Sequence, residues 1–451
     1  MIPAMTDLNA AAAALRGKLR GSNVEFTRVA TDTRSVQPGD LFVALKGERF
    51  DGHTYAQQAL DQGAVAVLVN SDSACVAAPA IVVADTRLAL GQLAAWWRDR
   101  MPARIVGVTG SNGKTTVKEM LAAILRVASS DDAVLATAGN FNNDIGLPLT
   151  LLKLRPQHRF GVIEMGMNHA GEIDYLTRLA RPDVALVNNA GAAHVGMLGS
   201  VEAVARAKGE IFAGLGEHGV AIINADDTHA ALWRALAGNK TVLDFGLTQP
   251  AAVQGRYHAL SNAVDVMTAN VCFTPHLQVA GEHNARNALA ATAAALALGI
   301  NSDAIVRGLA AFRGVAGRMQ NKPALHGATL IDDSYNANPD SVRAALAVLA
   351  AGPGVKILVL GDMAELGDAA EALHAEIGTA ARSAGVNYLF ALGDLSRAAV
   401  QAFGAGAMHF ERIEELLAEV ENRLAADVTV LVKGSRFMRM ERVVKSFEVR
   451  L

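Results

Sequence analysis

The residues from Val106 to Lys118 have the types and the spacing needed to bind the phosphates of a nucleotide. They read Val-Gly-Val-Thr-Gly-Ser-Asn-Gly-Lys-Thr-Thr-Val-Lys, with an apolar run before them and a helical apolar pattern after them. A glycine turn between a buried strand and a helix presents backbone N–H groups and the positive helix end to an anion. Lys114 supplies an ammonium group for the terminal phosphates, and the Thr115 hydroxyl is suited to Mg2+.

This loop is shorter than the common phosphate-binding loop. The pattern Gly-x-x-x-x-Gly-Lys requires glycine at position 108, where the chain has Val108, so the motif is Thr-Gly-x-x-Gly-Lys-Thr over residues 109–115. A glycine turn with an incidental lysine is the alternative. Strand, turn, Lys-Thr and helix follow one another in the right order, which favours a nucleoside triphosphate site. The loop residues assigned to this site are Gly110, Ser111, Asn112, Gly113, Lys114, Thr115 and Thr116.

Polar residues also follow other predicted strands of the central region. Glu164 ends the apolar run 160–163, and a carboxylate at a strand end beside a phosphate loop is a typical Mg2+ ligand. A solvated carboxylate is the alternative. Residue types alone favour an ordinary structural or surface role for His194 and for Lys208, which is predicted on a helix over 204–212. The asparagine-rich loop 139–146 suits either a polar substrate or simple turn formation.

Alternating strands and helices are predicted along the whole chain, which indicates an α/β fold with mostly parallel sheets. Strands are expected at 26–30, 40–45, 64–69 and 80–83, then at 134–136, 160–163, 184–187, 220–223 and 241–245, and finally at 329–332, 356–360, 388–391 and 429–432. We predict three domains. These are a small N-terminal α/β domain at 1–84, a central nucleotide-binding domain of the P-loop type at 85–317, and a C-terminal Rossmann-like, doubly wound domain at 318–451.

Composition narrows the possible functions. The chain has 451 residues, of which 51% are hydrophobic and 19% charged, and a net charge of −3. These values fit several folded domains and argue against a nucleic-acid partner. Cys75 and Cys272 are expected to be reduced thiols. The most apolar run, 288–300, is too short to span a membrane, and residues 1–17 lack the order of a signal peptide. We therefore expect a cytoplasmic protein without membrane insertion.

In order and content, these motifs resemble those of the Mur ligases, the ATP-dependent amide ligases that build the cell-wall peptide. The stretch 109–116 is similar to the shortened phosphate loop of that family. Gly-Glu-His-Asn-Ala-Arg-Asn at 281–287 is similar to its adenine-side motif, and Gly317-Arg318 to its hinge arginine. The resemblance extends over essentially the whole chain and implies three α/β domains, the first of which binds a UDP-sugar.

Four further stretches are similar to the branch of the family that joins D-alanyl-D-alanine to UDP-N-acetylmuramoyl-tripeptide. They are residues 41–53, 139–146, 332–339 and 432–436. The resemblance implies an acyl-phosphate intermediate and, as products, UDP-N-acetylmuramoyl-pentapeptide, ADP and phosphate. We expect a monomer. Two alternatives stay open: a ligase of the same superfamily with another acceptor, such as a folylpolyglutamate synthetase, and a nucleotide-switched binding protein without catalytic activity.

The resemblance also implies roles for individual residues. The catalytic residues are Lys114, Glu164, His194, Lys208 and Arg318. Two Mg2+ ions are implied, with Thr115, Glu164, His194 and a carbamylated Lys208 as ligands. Beyond the phosphate loop, the residues that contact ATP are Asn284, Arg318, Asp333 and Asn336. The residues that face the UDP-substrate are Asp32, Thr33, Arg34, Lys46, Gly47, Asn140 and Asn143.

Overall fold

The computed structural model of the chain describes residues 3–48, 50–70, 79–192 and 195–449. Within these ranges, helices and strands alternate and build three larger sheets and one short strand pair, which confirms the α/β class. No helix among the described residues is long and apolar enough to cross a membrane. Cys272 is an exposed free thiol, whereas Cys75 lies outside the described residues.

The N-terminal part of the chain forms a small sheet with helices on both faces. Its elements are β1 (Thr6–Asp7), α1 (Leu8–Leu15), β2 (Lys18–Arg20), β3 (Glu25–Phe26), β4 (Arg28–Ala30), β5 (Asp40–Val43), α2 (Ala56–Asp61), β6 (Ala66–Asn70), β7 (Ala80–Val83) and α3 (Thr86–Arg98). The strand order is β2-β7-β6-β5-β4, parallel except for β2. Helices α1 and α3 cover one face and α2 covers the other.

The single strand predicted over residues 26–30 is two strands in different sheets. Phe26 pairs with Thr6 in the antiparallel β1–β3 pair, whereas β4 runs parallel to β5. Between them, the backbone N–H of Thr27 donates to the carbonyl of Gly39 over 2.9 Å. The prediction was wrong because a continuous run of strand-forming residues carries no sign of a change of partner.

The central part forms a long sheet around β8. Its elements are β8 (Arg104–Thr109), α4 (Lys114–Ala128), β9 (Val134–Ala136), α5 (Gly146–Leu151), β10 (Phe160–Glu164), α6 (Glu172–Ala180), β11 (Val184–Val187), α7 (Val195–Leu198), α8 (Val201–Gly209), β12 (Val220–Asn224), α9 (Ala230–Ala237), β13 (Thr241–Gly246), β14 (Val253–His258), β15 (Ala263–Met267), β16 (Cys272–Phe273), α10 (Glu282–Ala297) and α11 (Ser302–Ala311). The strand order is β16-β15-β14-β13-β12-β11-β8-β10-β9.

The parallel strands of this sheet bring the predicted site residues to one edge. Glu164 ends β10 opposite Val108, and Val187 ends β11 opposite Thr109. Helices α4, α10 and α11 pack on one face, and α5, α6 and α8 pack on the other. The helix predicted over 204–212 begins earlier, at Val201, because Ser200 caps it, and it continues as a 3-10 turn from Glu210 to Gly214.

The antiparallel edge of the central sheet was not predicted. In β14 and β15 buried residues alternate with partly or fully exposed ones, and the two strands pair antiparallel with each other. Such half-exposed strands lack the continuous apolar runs that marked the parallel strands.

The C-terminal part is a doubly wound sheet, as predicted. Its elements are β17 (Gln320–Pro323), β18 (Thr329–Asp333), α12 (Pro339–Ala351), β19 (Val355–Gly361), α13 (Ala370–Ser383), β20 (Tyr388–Leu392), α14 (Arg397–Phe403), β21 (Ala407–Phe410), α15 (Ile413–Glu421), β22 (Val428–Lys433) and α16 (Glu441–Phe447). The order is β17-β18-β22-β19-β20-β21, parallel except for β17. Helices α12, α13 and α14 cover one face, and α15 and α16 cover the other.

Each of the three larger sheets is built from its own stretch of the chain, but the N-terminal and central sheets share a hydrophobic core. Helix α3 packs against α1 and β6 on one side and against α5 and α6 on the other. One apolar core therefore runs from the N-terminal sheet into the central one. The domain limits at 84/85 and 317/318 stay a prediction, as does the monomeric state.

Candidate functional site

The loop between β8 and α4 is packed tightly against two asparagine side chains. Gly113 has a φ of +79°, and α4 begins at the next residue. A Cβ atom on Gly113 would stand 2.3 Å from Oδ1 of Asn287 and 2.6 Å from Nδ2 of Asn188. Glycine is required here both for the left-handed backbone and for this close approach. The short loop is therefore shaped by β11 and α10 as well as by its own sequence.

A network of asparagines holds the middle of the loop. Nδ2 of Asn188 donates to Oδ1 of Asn287 over 2.9 Å and to the carbonyl of Asn112 over 3.0 Å. Asn189 accepts from the N–H of Asn112 through Oδ1 at 2.8 Å and donates to its carbonyl through Nδ2 at 3.0 Å. Asn188, Asn189 and Asn287 were missed as site residues, although each lies in a polar stretch that follows β11 or opens α10.

Lys114 folds back over this loop. Its Nζ donates to the carbonyls of Gly110 at 2.6 Å and Ser111 at 3.3 Å. Burial lowers the pKa of Lys114, with Glu164 opposing the shift and the positive charge of Arg318 adding to it. Arg318, which precedes β17, thus acts electrostatically on Lys114 although it belongs to the C-terminal part of the chain. The ammonium of Lys114 lies at a loop of the kind that binds anions through backbone N–H groups.

Thr115 and Glu164 are brought together, as predicted for a Mg2+ site. The Thr115 hydroxyl donates to Oε2 of Glu164 over 2.9 Å, and Nδ2 of Asn142 donates to Oε1 over 2.8 Å. Glu164 is only 2% exposed. These hard oxygen atoms fit Mg2+. The described residues contain no group of three or more His, Cys, Asp or Glu side chains placed for a metal. A Mg2+ ion here would therefore also need oxygen atoms from the phosphates of a bound nucleotide or from water.

Lys208 is buried beside this site. Lys208 is 1% exposed. Burial, together with the charge of Lys114, lowers the pKa of Lys208 well below the usual lysine value. Among the described residues, Nζ of Lys208 forms no hydrogen bond or ion pair. By contrast Lys118, the other buried lysine of this region, donates to the carbonyl of Thr137 at 2.5 Å and pairs with Glu119 at 2.8 Å. His194, the other predicted metal ligand, lies outside the described residues.

The predicted ATP residues of the C-terminal sheet lie together at the ends of β18 and β22. The Arg318 guanidinium lies 4.3 Å from the centre of the Tyr335 ring. Nζ of Lys433 donates to Oδ2 of Asp333 at 2.5 Å and to the carbonyl of Asn336 at 2.9 Å. Burial raises the pKa of Asp333, and the Lys433 ammonium opposes that rise. Lys433, which holds the Asp333 carboxylate, was not predicted as a site residue.

The stretch 281–287 reaches the site from the other side. Nδ2 of Asn284 donates to the carbonyl of Ala280 over 2.8 Å, and its Oδ1 accepts from Asn287 at 3.3 Å. Burial, together with the positive charges of Lys433 and Arg286, lowers the pKa of His283 to about 4. A Cβ atom on Gly281 would stand 2.8 Å from Cγ2 of Val348, which places the start of α10 beside α12 of the C-terminal part.

The residues predicted to face the UDP-substrate lie at the edge of the N-terminal sheet. Arg34 is exposed and pairs with Asp32 at 2.5 Å, and its hydrogen bonds lower the pKa of Asp32 to about 2. Thr33 lies between them in a 3-10 turn. Lys46 is exposed, and a Cβ atom on Gly47 would stand 2.8 Å from the Phe50 ring.

The asparagine loop is tied to the same edge through the start of α3. The Thr86 hydroxyl donates to the carbonyl of Ala44, next after β5, over 2.7 Å. Nη2 of Arg87 donates to Oδ1 of Asp144 over 2.9 Å. Asn140 and Asn143 are exposed beside this contact, and Oδ1 of Asn143 accepts from the N–H of Gly146 at the start of α5. Both groups of predicted residues therefore border one region of the surface.

We predict that Gly113→Ala lowers the affinity for ADP at least about tenfold, because the added methyl group displaces Asn287 and Asn188 from the loop. Gly299→Ala is the matched control, since Gly299 has a φ of +76° and open space around it. Both variants carry the backbone strain of a left-handed alanine, about 1 kcal/mol. Isothermal titration calorimetry with ADP measures the difference. Equal affinities in the two variants would contradict the packing argument.

The chain is similar to known proteins over nearly its full length. Family patterns described as "Mur ligase family, catalytic domain", "Mur ligase middle domain" and "Mur ligase, glutamate ligase domain" match residues 25–98, 108–295 and 317–436. The chain is 45% identical over 443 residues to the UDP-N-acetylmuramoyl-tripeptide–D-alanyl-D-alanine ligase of Escherichia coli (strain K12), covering 96% of each chain.

Two solved structures are similar over nearly the full length. A crystal structure of MurF from Acinetobacter baumannii is 37% identical, with a TM-score of 0.90 and 97% of each chain covered. A crystal structure of MurF ligase from Thermotoga maritima in complex with ADP is 28% identical, with a TM-score of 0.83, covering 93% of this chain and 96% of that one.

Proposed function

The chain belongs to the Mur ligase family, and we propose that it joins D-alanyl-D-alanine to UDP-N-acetylmuramoyl-tripeptide while ATP is converted to ADP and phosphate. The product is UDP-N-acetylmuramoyl-pentapeptide, a precursor of peptidoglycan. The observation that supports this most directly is the hydrogen bond from Thr115, in the phosphate loop, to Glu164 at the end of β10, with Lys114 folded over the same loop. Oxygen ligands for Mg2+ and a positive charge thus lie beside the position that we propose for the phosphates of ATP.

The acceptor carboxylate needs activation, because a carboxylate is a poor acylating agent. One of its oxygens attacks the γ-phosphorus of ATP, the bond from that phosphorus to the β–γ bridging oxygen breaks, and ADP leaves. The amine of D-alanyl-D-alanine then attacks the acyl carbon. The bond from this carbon to the phosphate oxygen breaks, the nitrogen loses a proton, and the amide and inorganic phosphate are formed.

The side chains at the phosphate loop have distinct tasks in this scheme. Lys114 and Arg318 reduce the repulsion between the carboxylate and the γ-phosphate and stabilise the charge of the transition state. Thr115 and Glu164 would hold one Mg2+, which withdraws charge from the phosphate oxygens when it is bound. Asn284, Asp333 and Asn336 would contact the adenosine of ATP.

We assign the UDP part of the acceptor to the edge of the N-terminal sheet. The residues that would contact it are Asp32, Thr33, Arg34, Lys46, Gly47, Asn140 and Asn143. Four of them, Arg34, Lys46, Asn140 and Asn143, are exposed. The contacts of the start of α3 with Ala44 and with the asparagine loop support one continuous surface for this substrate. From this surface the peptide arm of the acceptor would extend toward the phosphate loop.

The proposed reaction predicts that phosphate release requires both substrates. With ATP and Mg2+ present, neither UDP-N-acetylmuramoyl-tripeptide nor D-alanyl-D-alanine alone should support multiple turnovers. Both together should release one phosphate for each pentapeptide detected by mass spectrometry. The controls are the same mixtures with Lys114→Ala. Phosphate release should then fall at least about a hundredfold, because the ammonium group that stabilises the negative charge of the γ-phosphate is removed.

The same assay separates the two alternatives. Release that requires a folate and glutamate instead would indicate a folylpolyglutamate synthetase. Release with neither acceptor nor amine, or no release in any mixture, would leave a nucleotide-binding protein without ligase activity and would contradict the proposed function.

We further propose that Lys208 is carbamylated and, with His194, holds a second Mg2+. A carbamate forms when the neutral amine attacks CO2 and loses a proton, giving R–NH–COO−. The lowered pKa of Lys208 supports this step, because more of the amine is then neutral at pH 7. The absence of a carboxylate partner among the described residues also supports it, since the carbamate supplies the missing anion.

Carbamylation predicts a carbamate signal in the 13C NMR spectrum of the apoenzyme in 13C-labelled bicarbonate. The signal should be present at neutral pH and decline as the pH falls, since protonation of the amine reverses the reaction. Lys208→Met should abolish it. Lys118→Met is the matched control and should retain the carbamate signal, because the ammonium of Lys118 already donates to the carbonyl of Thr137 and pairs with Glu119. A signal that persists in Lys208→Met would show that the carbamate forms on another amine, and would contradict the proposal.

A further inference from the structure

Asn338 connects the C-terminal sheet to the phosphate loop. Its Oδ1 accepts from the N–H of Ser341 over 2.9 Å and so caps the start of α12. This use of Oδ1 leaves Nδ2 to face the central part, where it donates to Oδ1 of Asn112 over 2.8 Å. Asn338 is only 8% exposed. The orientation of its amide is therefore set by the helix cap.

Asn112 is itself held rigidly in the phosphate loop. Asn189 hydrogen bonds to both its N–H and its carbonyl, and Asn188 donates to the same carbonyl. The next residue is Gly113, whose close packing fixes the path of the loop into α4. The bond from Asn338 thus ends on the side chain of a residue whose backbone must adopt the correct shape when phosphates bind.

Two neighbouring contacts join the same surfaces. The N–H of Ala192 donates to Oδ2 of Asp340 over 3.1 Å, and the N–H of Gly196 donates to the carbonyl of Glu365 over 3.1 Å. These contacts involve the loop after β11 and the short helix α7, and not the phosphate loop. Among the hydrogen bonds described between the two parts, the bond from Asn338 to Asn112 joins a side chain of the C-terminal part to the phosphate loop itself.

We propose that Asn338 is a positioning residue that couples the shape of the phosphate loop to closure of the C-terminal part over the reacting groups. The inference rests on the proposed ligase function. When the loop holds ATP in its working shape, Asn112 presents Oδ1 to Asn338 and favours the closed arrangement. Closure keeps water away from the acyl phosphate until the amine arrives.

Asn338→Ser tests this coupling without removing the helix cap. Serine caps helices about as well as asparagine, but its side chain is too short to reach Asn112. Asn112→Ala removes the contact from the other side. Asn301→Ser is the matched control, because Asn301 caps α11 through the N–H of Ala304 and lies in a different part of the fold.

In Asn338→Ser, kcat/KM for D-alanyl-D-alanine should fall about five- to tenfold, as expected for one partly buried hydrogen bond. The affinity for ADP should change less than about twofold, because ADP lacks the γ-phosphate and the hydrogen bonds within the central part that hold Asn112 are kept. The ratio of phosphate released to pentapeptide formed should rise above one, since an open site loses acyl phosphate to water. Asn301→Ser should keep the wild-type values of all three.

The double variant Asn112→Ala/Asn338→Ser completes the test. If the two residues act through one contact, adding Asn338→Ser to Asn112→Ala should cause little further loss. Fully additive losses, or a ratio that stays at one in Asn338→Ser, would overturn the proposal. Failure of the ligase function would be seen separately, as absence of pentapeptide with the wild-type protein.

Discussion

The site depends on the close approach of Gly113 to Asn188 and Asn287. Because the loop has no side chain at this point, the end of β11 and the start of α10 can press directly against its backbone. Asn188 and its neighbour Asn189 hydrogen bond to Asn112 and so fix the path of the loop into α4. Lys114, Thr115 and Glu164 take their positions from this loop and from the strand ends beside it. A shortened phosphate loop is thus stabilised by residues far away in the sequence.

Much of the site followed from local sequence. The order of strand, glycine turn, Lys-Thr and helix located Lys114 and Thr115, and the strand end located Glu164, which the structure brings within hydrogen-bonding distance of Thr115. Asn188, Asn189, Asn338 and Lys433 were not assigned roles. Their importance depends on which strands are neighbours in the sheets, and residue types in one segment carry no information about partners 76 or more positions away.

The fold was predicted best where parallel strands are buried on both faces. The apolar runs of β10, β11 and β19 are continuous, and their strands were placed within a residue or two of the observed limits. The change of sheet at Thr27 was not predicted, and neither were the half-exposed strands β14 and β15. Their structure depends on which strands pair with one another, and residue type alone does not indicate the pairing. The packing of α3 against two sheets likewise depends on tertiary contacts.

The central claim is that the phosphate loop presents the γ-phosphate of ATP to the carboxylate of the acceptor. Transfer of oxygen tests it most directly. The tripeptide substrate is labelled with 18O in its terminal carboxylate, and the phosphate released during amide formation is analysed by mass spectrometry. Each released phosphate should carry one 18O atom, because the carboxylate oxygen that attacks phosphorus leaves with it. Phosphate without 18O, in reactions that still form the amide, would contradict the account.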